Sequence, residues 1–346
     1  MFHLFEKINN NEVYIIAEMS ANHGGSLRNA LRIVHEVKEA GADCLKIQTY
    51  TADSLTIDSN RPEFQIHGGL WDGYNLYQLY TEASTPYEWQ PVIKAECDKV
   101  GIDFLSTPFD RKAVDFLEGI GVEAYKIASY ELVDIPLIEY TASKHKPMII
   151  SCGMGTVEEI QEAIEACYQV NNKQVVLLKC CSEYPSHWDN MNLMTIPDMK
   201  QRFNVPIGLS DHSAGSLGAV VGVALGASVI EKHVKLDGVN SVDSGFSMTT
   251  EEFKQMVKDV KATNLVKGHV FYGLTPGEGD GSGRRSLYAV KDIRKGEVFT
   301  EENVRSIRPG WGLKPKFYKE IIGKKATRDI SFGEPLTADC VGEIKV

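Results

Sequence analysis

The sequence predicts an α/β protein: a (β/α)8 TIM barrel followed by a small β-rich domain. Eight short apolar runs recur between Val13 and His233, and segments with helical periodicity lie between them. Runs that are apolar on both faces are typical of parallel strands covered by helices. A doubly wound open sheet is the alternative, but no GxGxxG sequence follows the first run. The eight successive units therefore favour the closed barrel.

Each predicted strand is a short apolar run, and many begin after a turn signal such as glycine or the pair Lys146-Pro147. In chain order the strands are residues 13–17, 44–48, 104–107, 124–128, 148–151, 175–178, 206–209 and 229–233. Each predicted helix has apolar residues at helical spacing, as on a helix with one buried face. The helices between the strands are residues 27–40, 86–100, 111–119, 135–145, 157–170, 193–203 and 216–226.

The barrel pattern ends after Lys267. Residues 268–283 contain six glycines, a composition typical of a linker or an exposed loop. Beyond them, short β-like runs alternate with turns, and KDIRKGEVFT is nearly repeated as RDISFGEPLT. We therefore predict a barrel domain at 1–267, a Gly-rich linker at 268–284 and a small β-rich domain at 285–346.

Composition excludes several classes of function. The 346 residues carry a net charge of −10 with no run of Lys or Arg, so the basic face of a nucleic-acid-binding protein is missing. No apolar run approaches the roughly 20 residues of a membrane span, and no signal peptide opens the chain. The seven cysteines lack CxxC spacing. We interpret them as reduced thiols and expect a cytoplasmic protein.

Polar side chains stand where the predicted strands end. Catalytic groups of TIM barrels lie at the carboxyl ends of the strands and in the loops that follow. We therefore expect one mouth to gather the strand-exit residues Glu18, Lys46, Gln48, Thr107, Lys126, Ser129, Ser151, Ser182, Ser210, His212, Glu231 and His233.

The residue types at this mouth indicate an anion and a metal. Lys46 and Lys126 would supply charge and the hydroxyls neutral donors to a phosphate-like group. His212 and His233 close neighbouring strands and could share one divalent metal, with Glu18 or water completing the shell. The structural alternative is a snorkelling lysine or a core histidine. Four carboxylates could act as acids or bases, bind sugar hydroxyls, or simply pair with lysines: Glu18, Glu131, Glu231 and Asp243.

Six sequence blocks resemble the sialic acid synthase family, in the same order along the chain. They are IIAEMSANHGGS, GADCLKIQTYTADSLT, STPFD, AYKIASYE, GLSDHS and VIEKH. The segment RRSLYAVKDIRKGEVFTEENVRSIRPGWG resembles the antifreeze-like (SAF) domain of the same family, and the likeness runs from about Val13 to Thr337. The resemblance implies condensation of phosphoenolpyruvate with an amino-sugar aldehyde.

Within the family, the sequence more closely resembles the pseudaminic acid synthases. The discriminating stretch is GGLWDGYNLYQLYTEASTPYEW, and Ser182 stands where N-acetylneuraminate synthases have asparagine. The implied sugar is 2,4-diacetamido-2,4,6-trideoxy-L-altropyranose, with phosphate released by C–O cleavage. Synthesis of N-acetylneuraminate or legionaminate from another amino sugar is the alternative. Trp71, in the discriminating stretch, is our candidate for an apolar lining of the sugar pocket, with loop packing as its alternative.

The resemblance also implies roles for individual residues. Those expected to bind phosphoenolpyruvate are Lys46, Thr107, Lys126, Ser129, Ser151, Ser182 and Ser210. Mn²⁺ or Mg²⁺, or Co²⁺, would be bound by His212 and His233. Residues expected to contact the sugar are Gln48, Glu131, Tyr184, Asp243 and Arg308, while catalytic roles fall to Glu18, Glu231 and Arg308. Arg308 would enter from the SAF domain of the other subunit in a domain-swapped homodimer.

Overall fold

A computed structural model describes residues 2–344 of the chain. The chain divides into two compact units, with bounds Met1–Gly268 and His269–Val346. Over the described residues, no helix has both the length and the hydropathy of a membrane-spanning segment.

The first unit is a closed barrel of eight parallel strands, which confirms the predicted fold class. Its strands are β1 (Tyr14–Glu18), β2 (Cys44–Thr49), β3 (Asp103–Pro108), β4 (Tyr125–Ile127), β5 (Met148–Ser151), β6 (Val175–Cys180), β7 (Ile207–Asp211) and β8 (Val229–Lys235). Each strand pairs with the next along the chain, and β1 also pairs with β8, which closes the ring. A two-residue strand, β9 (Met248–Thr249), pairs with the end of β8.

The helices of this unit are α1 (Leu4–Asn9), α2 (Leu27–Ala40), α3 (Ala52–Leu55), α4 (Leu76–Ala83), α5 (Gln90–Val100), α6 (Arg111–Gly119), α7 (Ile135–Ala142), α8 (Val157–Gln169), α9 (Thr195–Phe203), α10 (Leu217–Ala224) and α11 (Thr250–Lys267). Side-chain caps define several starts; the α8 capping box, for example, joins Thr156 and Glu159. Helices α1, α3, α4 and α11 are additions to the predicted set. Of these, α3 and α4 lie in a long segment between β2 and α5, and we call residues 50–89 the β2–α5 insert.

Side chains alternate between the interior and the exterior of the barrel along every strand. Near the amino ends of the strands, the interior is an apolar cluster that includes Leu4 of α1 together with Tyr14, Ile16, Cys44, Leu105, Ala124, Ile149, Val176, Leu178 and Val229. Two positions later on the same strands, the inward residues become polar or reactive: Glu18, Lys46, Thr107, Lys126, Ser151, Cys180 and Glu231. The barrel interior is therefore apolar at the amino ends of the strands and polar at their carboxyl ends. We call the inward polar and reactive side chains the polar layer.

The second unit is small and β-rich. Strands β10 (Ser286–Ala289) and β11 (Val304–Ile307) pair antiparallel, and two short helices follow, α12 (Tyr318–Ile321) and α13 (Ala338–Val341). The two near-repeats of the sequence meet at Ile293 and Ile330, which exchange backbone hydrogen bonds of 2.8 Å in both directions. Each repeat thus supplies one half of a common core.

Candidate active site

Lys46 on β2 lies at the centre of the polar layer. Its Nζ is 2.6 Å from Oε2 of Glu18, 3.4 Å from Oε1 of Glu231 and 3.3 Å from the Thr107 hydroxyl. Burial acts to lower the pKa of Lys46, but the two carboxylates outweigh it and raise that pKa. The ammonium is therefore charged at neutral pH, and β1, β2, β3 and β8 are joined through it.

Lys126 on β4 is the second buried ammonium. Its Nζ donates to the Ser151 hydroxyl at 2.6 Å and to the Ile127 carbonyl at 2.9 Å, and it lies 4.0 Å from Oε2 of Glu231. Burial lowers the pKa of Lys126 more than Glu231 restores it. A buried ammonium with hydroxyl neighbours and a shared carboxylate is well placed to receive an anionic substrate.

The two buried carboxylates have opposite protonation behaviour. Burial raises the pKa of Glu18 to about 7, against the influence of Lys46. Burial acts in the same direction on Glu231, but Lys126 and Lys46 outweigh it and hold the pKa of Glu231 below its ordinary value. Glu231 is therefore the permanent counter-ion of both lysines. Glu18, with a pKa near neutrality, can accept or release a proton during a reaction.

His212 and His233 lie beside this layer, with ring centroids 5.3 Å apart. Nδ1 of His212 is 3.0 Å from the Cys181 carbonyl, which can only accept. The proton is therefore on Nδ1, and Nε2 faces the Ser210 hydroxyl at 3.5 Å. Burial and nearby positive charge hold the pKa of His233 well below its ordinary value, so its ring is neutral.

The histidine pair suits a divalent metal with open coordination positions. Nδ1 of His233 is buried and has no hydrogen-bond partner among residues 2–344. Nε2 of His212 is oriented by the carbonyl bond on the other side of its ring, as is usual for a metal-binding imidazole. In the same described range, no group of three or more His, Cys, Asp or Glu side chains forms a ligand set. The chain would thus supply two nitrogen ligands and leave the remaining positions to substrate or water.

Hydroxyls from the loops after β4 and β6 converge on the loop after β5. Ser129 accepts a hydrogen bond of 3.1 Å from the backbone N–H of Gly153. A Cβ atom at Gly153 would collide with Oγ of Ser182 and lie 2.7 Å from Oγ of Ser129. Glycine is required here so that both serines can approach the loop after β5. None of the sequence motifs pointed to Gly153, although its position just after a strand could have indicated it.

A cavity of about 370 Å³ opens next to the histidines and has two unlike faces. The polar face includes Ser20, Gln48, Glu131, His233 and Asp243. The other face is apolar and aromatic, and the β2–α5 insert contributes eight of its residues: Tyr50, Leu55, Ile66, Trp71, Leu76, Leu79, Tyr80 and Ala83. Such a cavity fits a ligand with polar groups on one side and methyl groups on the other.

Predicted sugar-contacting residues lie on both faces. Gln48 donates to Glu18 and to Ser20, each at 3.3 Å. Asp243 is buried, accepts from the Ser20 hydroxyl and lies 3.3 Å from the backbone nitrogen of Ala21. Burial raises the pKa of Asp243 above its ordinary value. These contacts hold the polar face in place before any ligand binds.

Trp71 closes the apolar face. Its indole Nε1 donates to the Val242 carbonyl at 2.8 Å, and its ring centroid is 5.6 Å from that of Tyr184 and 6.2 Å from that of Phe246. The Tyr184 ring in turn lies 4.3 Å from His212. Trp71 is therefore a fixed part of the wall that leads to the histidine pair.

Arg308 belongs to the second unit. It follows β11 directly and its side chain is exposed. Its predicted role toward the sugar stays a prediction, because that role requires a second subunit.

Cys180, which the sequence motifs did not single out, faces the polar layer. Its Sγ is 3.9 Å from Nδ1 of His212 and 3.7 Å from the Ser182 hydroxyl. Burial acts to raise the pKa of the thiol, but His212 and the neighbouring hydroxyls outweigh it and lower that pKa to about 7. Counting alternate positions back along β6 through Leu178 would have placed Cys180 inside the barrel and Lys179 outside it.

Comparison with known proteins extends these observations over the whole chain. The sequence profile of the NeuB family matches residues 33–272, and that of the SAF domain matches residues 284–342. A pseudaminic acid synthase from Campylobacter jejuni is 49% identical over 339 residues, covering 94% of this chain and 95% of that protein. A pseudaminic acid synthase from Helicobacter pylori is 44% identical over 328 residues, covering 94% and 96%.

A solved structure with the same architecture is the N-acetylneuraminic acid (sialic acid) synthetase of Leptospira borgpetersenii, determined in complex with citrate. It matches with a TM-score of 0.70 and 31% identity, covering 78% of this chain and 90% of that one. The closed barrel, the polar layer at its mouth and the sequence relatives all indicate the same family. The chain belongs to the NeuB family and ends in a SAF domain.

Proposed function

We propose that this enzyme condenses phosphoenolpyruvate with 2,4-diacetamido-2,4,6-trideoxy-L-altropyranose to give pseudaminic acid and phosphate. The observation that carries the proposal is one barrel mouth that combines two buried lysines with a cavity of about 370 Å³ walled by aromatic side chains. The lysines suit a trianionic donor, and the aromatic wall suits a sugar that is rich in methyl groups. The relatives from C. jejuni and H. pylori are named pseudaminic acid synthases, which supports the same product.

Phosphoenolpyruvate is bound by the layer around Lys46 and Lys126. Its phosphate and carboxylate groups compete with Glu18 and Glu231 for the two ammonium groups. Neutral donors complete the binding set: Thr107, Ser129, Ser151, Ser182 and Ser210. Because these groups are already fixed by strands and by one another, binding requires little reorganisation.

The sugar aldehyde lies between this layer and the histidine pair. His212 and His233 would hold the divalent metal, Mn²⁺, Mg²⁺ or Co²⁺, which would supply Lewis-acid polarisation of the aldehyde group. On the polar face, Gln48, Glu131 and Asp243 contact hydroxyl or amide groups of the sugar. Burial raises the pKa of Glu131 to about 7, so that its carboxyl group can also donate a hydrogen bond near neutral pH.

The chemistry forms one C–C bond and breaks one C–O bond. C3 of phosphoenolpyruvate attacks the aldehyde carbon, and positive charge develops at C2, where the Glu231 carboxylate stabilises it. Water then adds to C2 and gives a proton to Glu18, whose pKa near 7 suits that transfer. The former aldehyde oxygen, left as an alkoxide when the C–C bond forms, receives this proton from Glu18. The tetrahedral intermediate then collapses to a ketone: the C2–O bond to the phosphate group breaks, and the proton of the C2 hydroxyl leaves with the phosphate. The phosphate leaves toward Lys46 and Lys126.

The identity of the sugar is tested by comparing two candidate sugars in separate reactions. Phosphate release will be measured with Mn²⁺ and either the altrose-derived sugar or N-acetylmannosamine, each with and without EDTA. We expect release with the first sugar and its loss in EDTA. Release with N-acetylmannosamine alone would keep the mechanism and overturn the substrate. Release that persists in EDTA would contradict the metal site, and release with neither sugar would contradict the proposed substrate.

Trp71 is proposed to select the 6-methyl and acetamido methyl groups. Trp71→Ala removes the largest apolar side chain that the insert contributes to the cavity, so the ratio of kcat/KM between the altrose-derived sugar and N-acetylmannosamine should fall about tenfold. Trp188, which is exposed and lies outside this cavity, provides the matched control in Trp188→Ala. An unchanged ratio in Trp71→Ala would assign the indole to loop packing alone.

We further propose a homodimer in which the SAF domain of each subunit completes the site of the other. Apolar side chains at the junction of the two units are exposed in the single chain: Leu265, Val266, Val270, Phe271, Tyr272 and Leu274. Exposed apolar segments of this kind are typical of surfaces covered by another chain. In the dimer, Arg308 reaches the sugar of the opposite subunit.

The reaction is assigned to the cytosol. All seven cysteines lie within the described residues and are free thiols, and only Cys181 is more than slightly exposed. Thiols of this kind persist in a reducing compartment.

A further inference from the structure

A fully buried ion pair lies directly behind the histidine pair, on the outward faces of β7 and β8. Nζ of Lys232 is 2.9 Å from Oδ2 of Asp211, and neither side chain is exposed. The same ammonium donates to the backbone carbonyl of Ser213. None of these groups lies in the polar layer that binds the substrates, so the reaction as proposed does not use them.

The pair is placed to control where both imidazoles lie. Asp211 and Lys232 are direct partners in the β7–β8 pairing, and each is the chain neighbour of a histidine. Oδ1 of Asp211 also accepts from the backbone N–H and the hydroxyl of Ser213, at 2.9 and 2.7 Å. Asp211 and Ser213, which flank His212, are thus both hydrogen-bonded to Lys232, which precedes His233.

Helix α10 seals this cluster from water. Gly218 lies over it: a Cβ atom there would be 2.9 Å from Oδ1 of Asp211 and 2.8 Å from Oγ of Ser213. The close approach of the helix explains why a glycine occupies this position, and it makes the charges fully desolvated. Their geometry therefore has little freedom.

Stability alone does not account for a pair of this kind. The cost of desolvating two charges offsets most of their attraction. Well-packed apolar residues in their place commonly stabilise a fold as much or more. What an apolar pair would not supply is directional bonding between the two strand ends. We propose that Lys232 and Asp211 are positioning residues that set the separation of His212 and His233 for metal binding. This inference rests on the proposed function in taking the two histidines as metal ligands.

The test replaces the ion pair by apolar residues. In the double variant Lys232→Met/Asp211→Leu, the dissociation constant for Mn²⁺, measured by electron paramagnetic resonance without substrates, should rise about 10–100-fold. Affinity for phosphoenolpyruvate, measured calorimetrically without metal, should change far less, because the two ammonium groups that bind it, Lys46 and Lys126, lie on β2 and β4. A merely structural defect would weaken both ligands together.

The controls separate the possible failures. Ile230→Val trims a buried outward residue on β8 and costs some stability without touching the cluster, so its Mn²⁺ affinity should match the unchanged protein. If the double variant does not fold, Ser213→Ala removes one hydrogen bond of the cluster and should weaken Mn²⁺ binding to a smaller degree. Equal Mn²⁺ affinity in a folded double variant would overturn the positioning role. Absence of Mn²⁺ binding in the unchanged protein, or its persistence in His233→Ala, would instead contradict the metal site and the inference with it.

Discussion

Replacing Lys126 by methionine is expected to lower kcat/KM for phosphoenolpyruvate about 10²–10³-fold. Methionine matches the length of the side chain but offers no charge and no donor to the substrate. The Ser151 hydroxyl loses its 2.6 Å partner, and Glu231 keeps only the ion pair of 3.4 Å with Lys46. The measurement is steady-state phosphate release, with direct calorimetry of phosphoenolpyruvate binding to show that the loss lies in recognition of this substrate.

Lys179→Met provides the matched control for that experiment. Lys179 is also a strand-borne lysine near the mouth, but it occupies the outward position before Cys180 and donates to the Cys180 carbonyl at 3.0 Å. Its replacement should leave phosphoenolpyruvate affinity unchanged. Equal losses in the two variants would show that a general change in charge, and not the inward position of Lys126, governs binding.

Glu18→Gln is expected to separate binding from catalysis. An amide cannot accept a proton from water, so kcat should fall about 10²–10⁴-fold. Phosphoenolpyruvate should bind at least as tightly as before, because the substitution removes a negative charge 2.6 Å from the Lys46 ammonium. Single-turnover phosphate release and calorimetric titration measure the two quantities on the same preparation.

The outcome that contradicts this role is a parallel loss of affinity and rate, which would make Glu18 a structural partner of Lys46. Glu12→Gln is the matched control, since Glu12 is exposed and precedes the same strand at its opposite end. Its substitution should change neither quantity. A thermal unfolding curve of each variant checks that the barrel persists.

Much of this site could be predicted from the sequence because a barrel converts strand ends into neighbours. Lys126 and Ser151 are 25 residues apart in the chain, yet the parallel register of β4 and β5 brings them within a hydrogen bond. Residue type and strand position therefore sufficed to place them together. The same reasoning did not single out Cys180, because the end of a strand alone does not establish which of two adjacent side chains points inward. The alternation through Val176 and Leu178 is needed as well.

Other features depend on contacts between distant segments that no local pattern reveals. The apolar wall joins Trp71 of the insert to Tyr184 and Phe246, which follow β6 and β8. Helix α3 is a single turn and α4 is short, so their periodicity is too brief to stand out from a loop. The Lys232–Asp211 pair appears in the sequence as two ordinary charges near strand ends. Only the pairing of β7 with β8 shows that they are buried together.

The division of labour in this barrel has an evolutionary consequence. The residues proposed to take part in bond formation lie on strands, and closure of the barrel fixes which of their side chains point inward. The apolar lining proposed to face the sugar's methyl groups comes largely from the β2–α5 insert. Mutations in the β2–α5 insert can accumulate without moving Lys46, Lys126 or Glu231. A changed β2–α5 insert can thus admit a new sugar while the residues that carry out the reaction stay the same. Diversity of products in such a lineage then requires little innovation in chemistry.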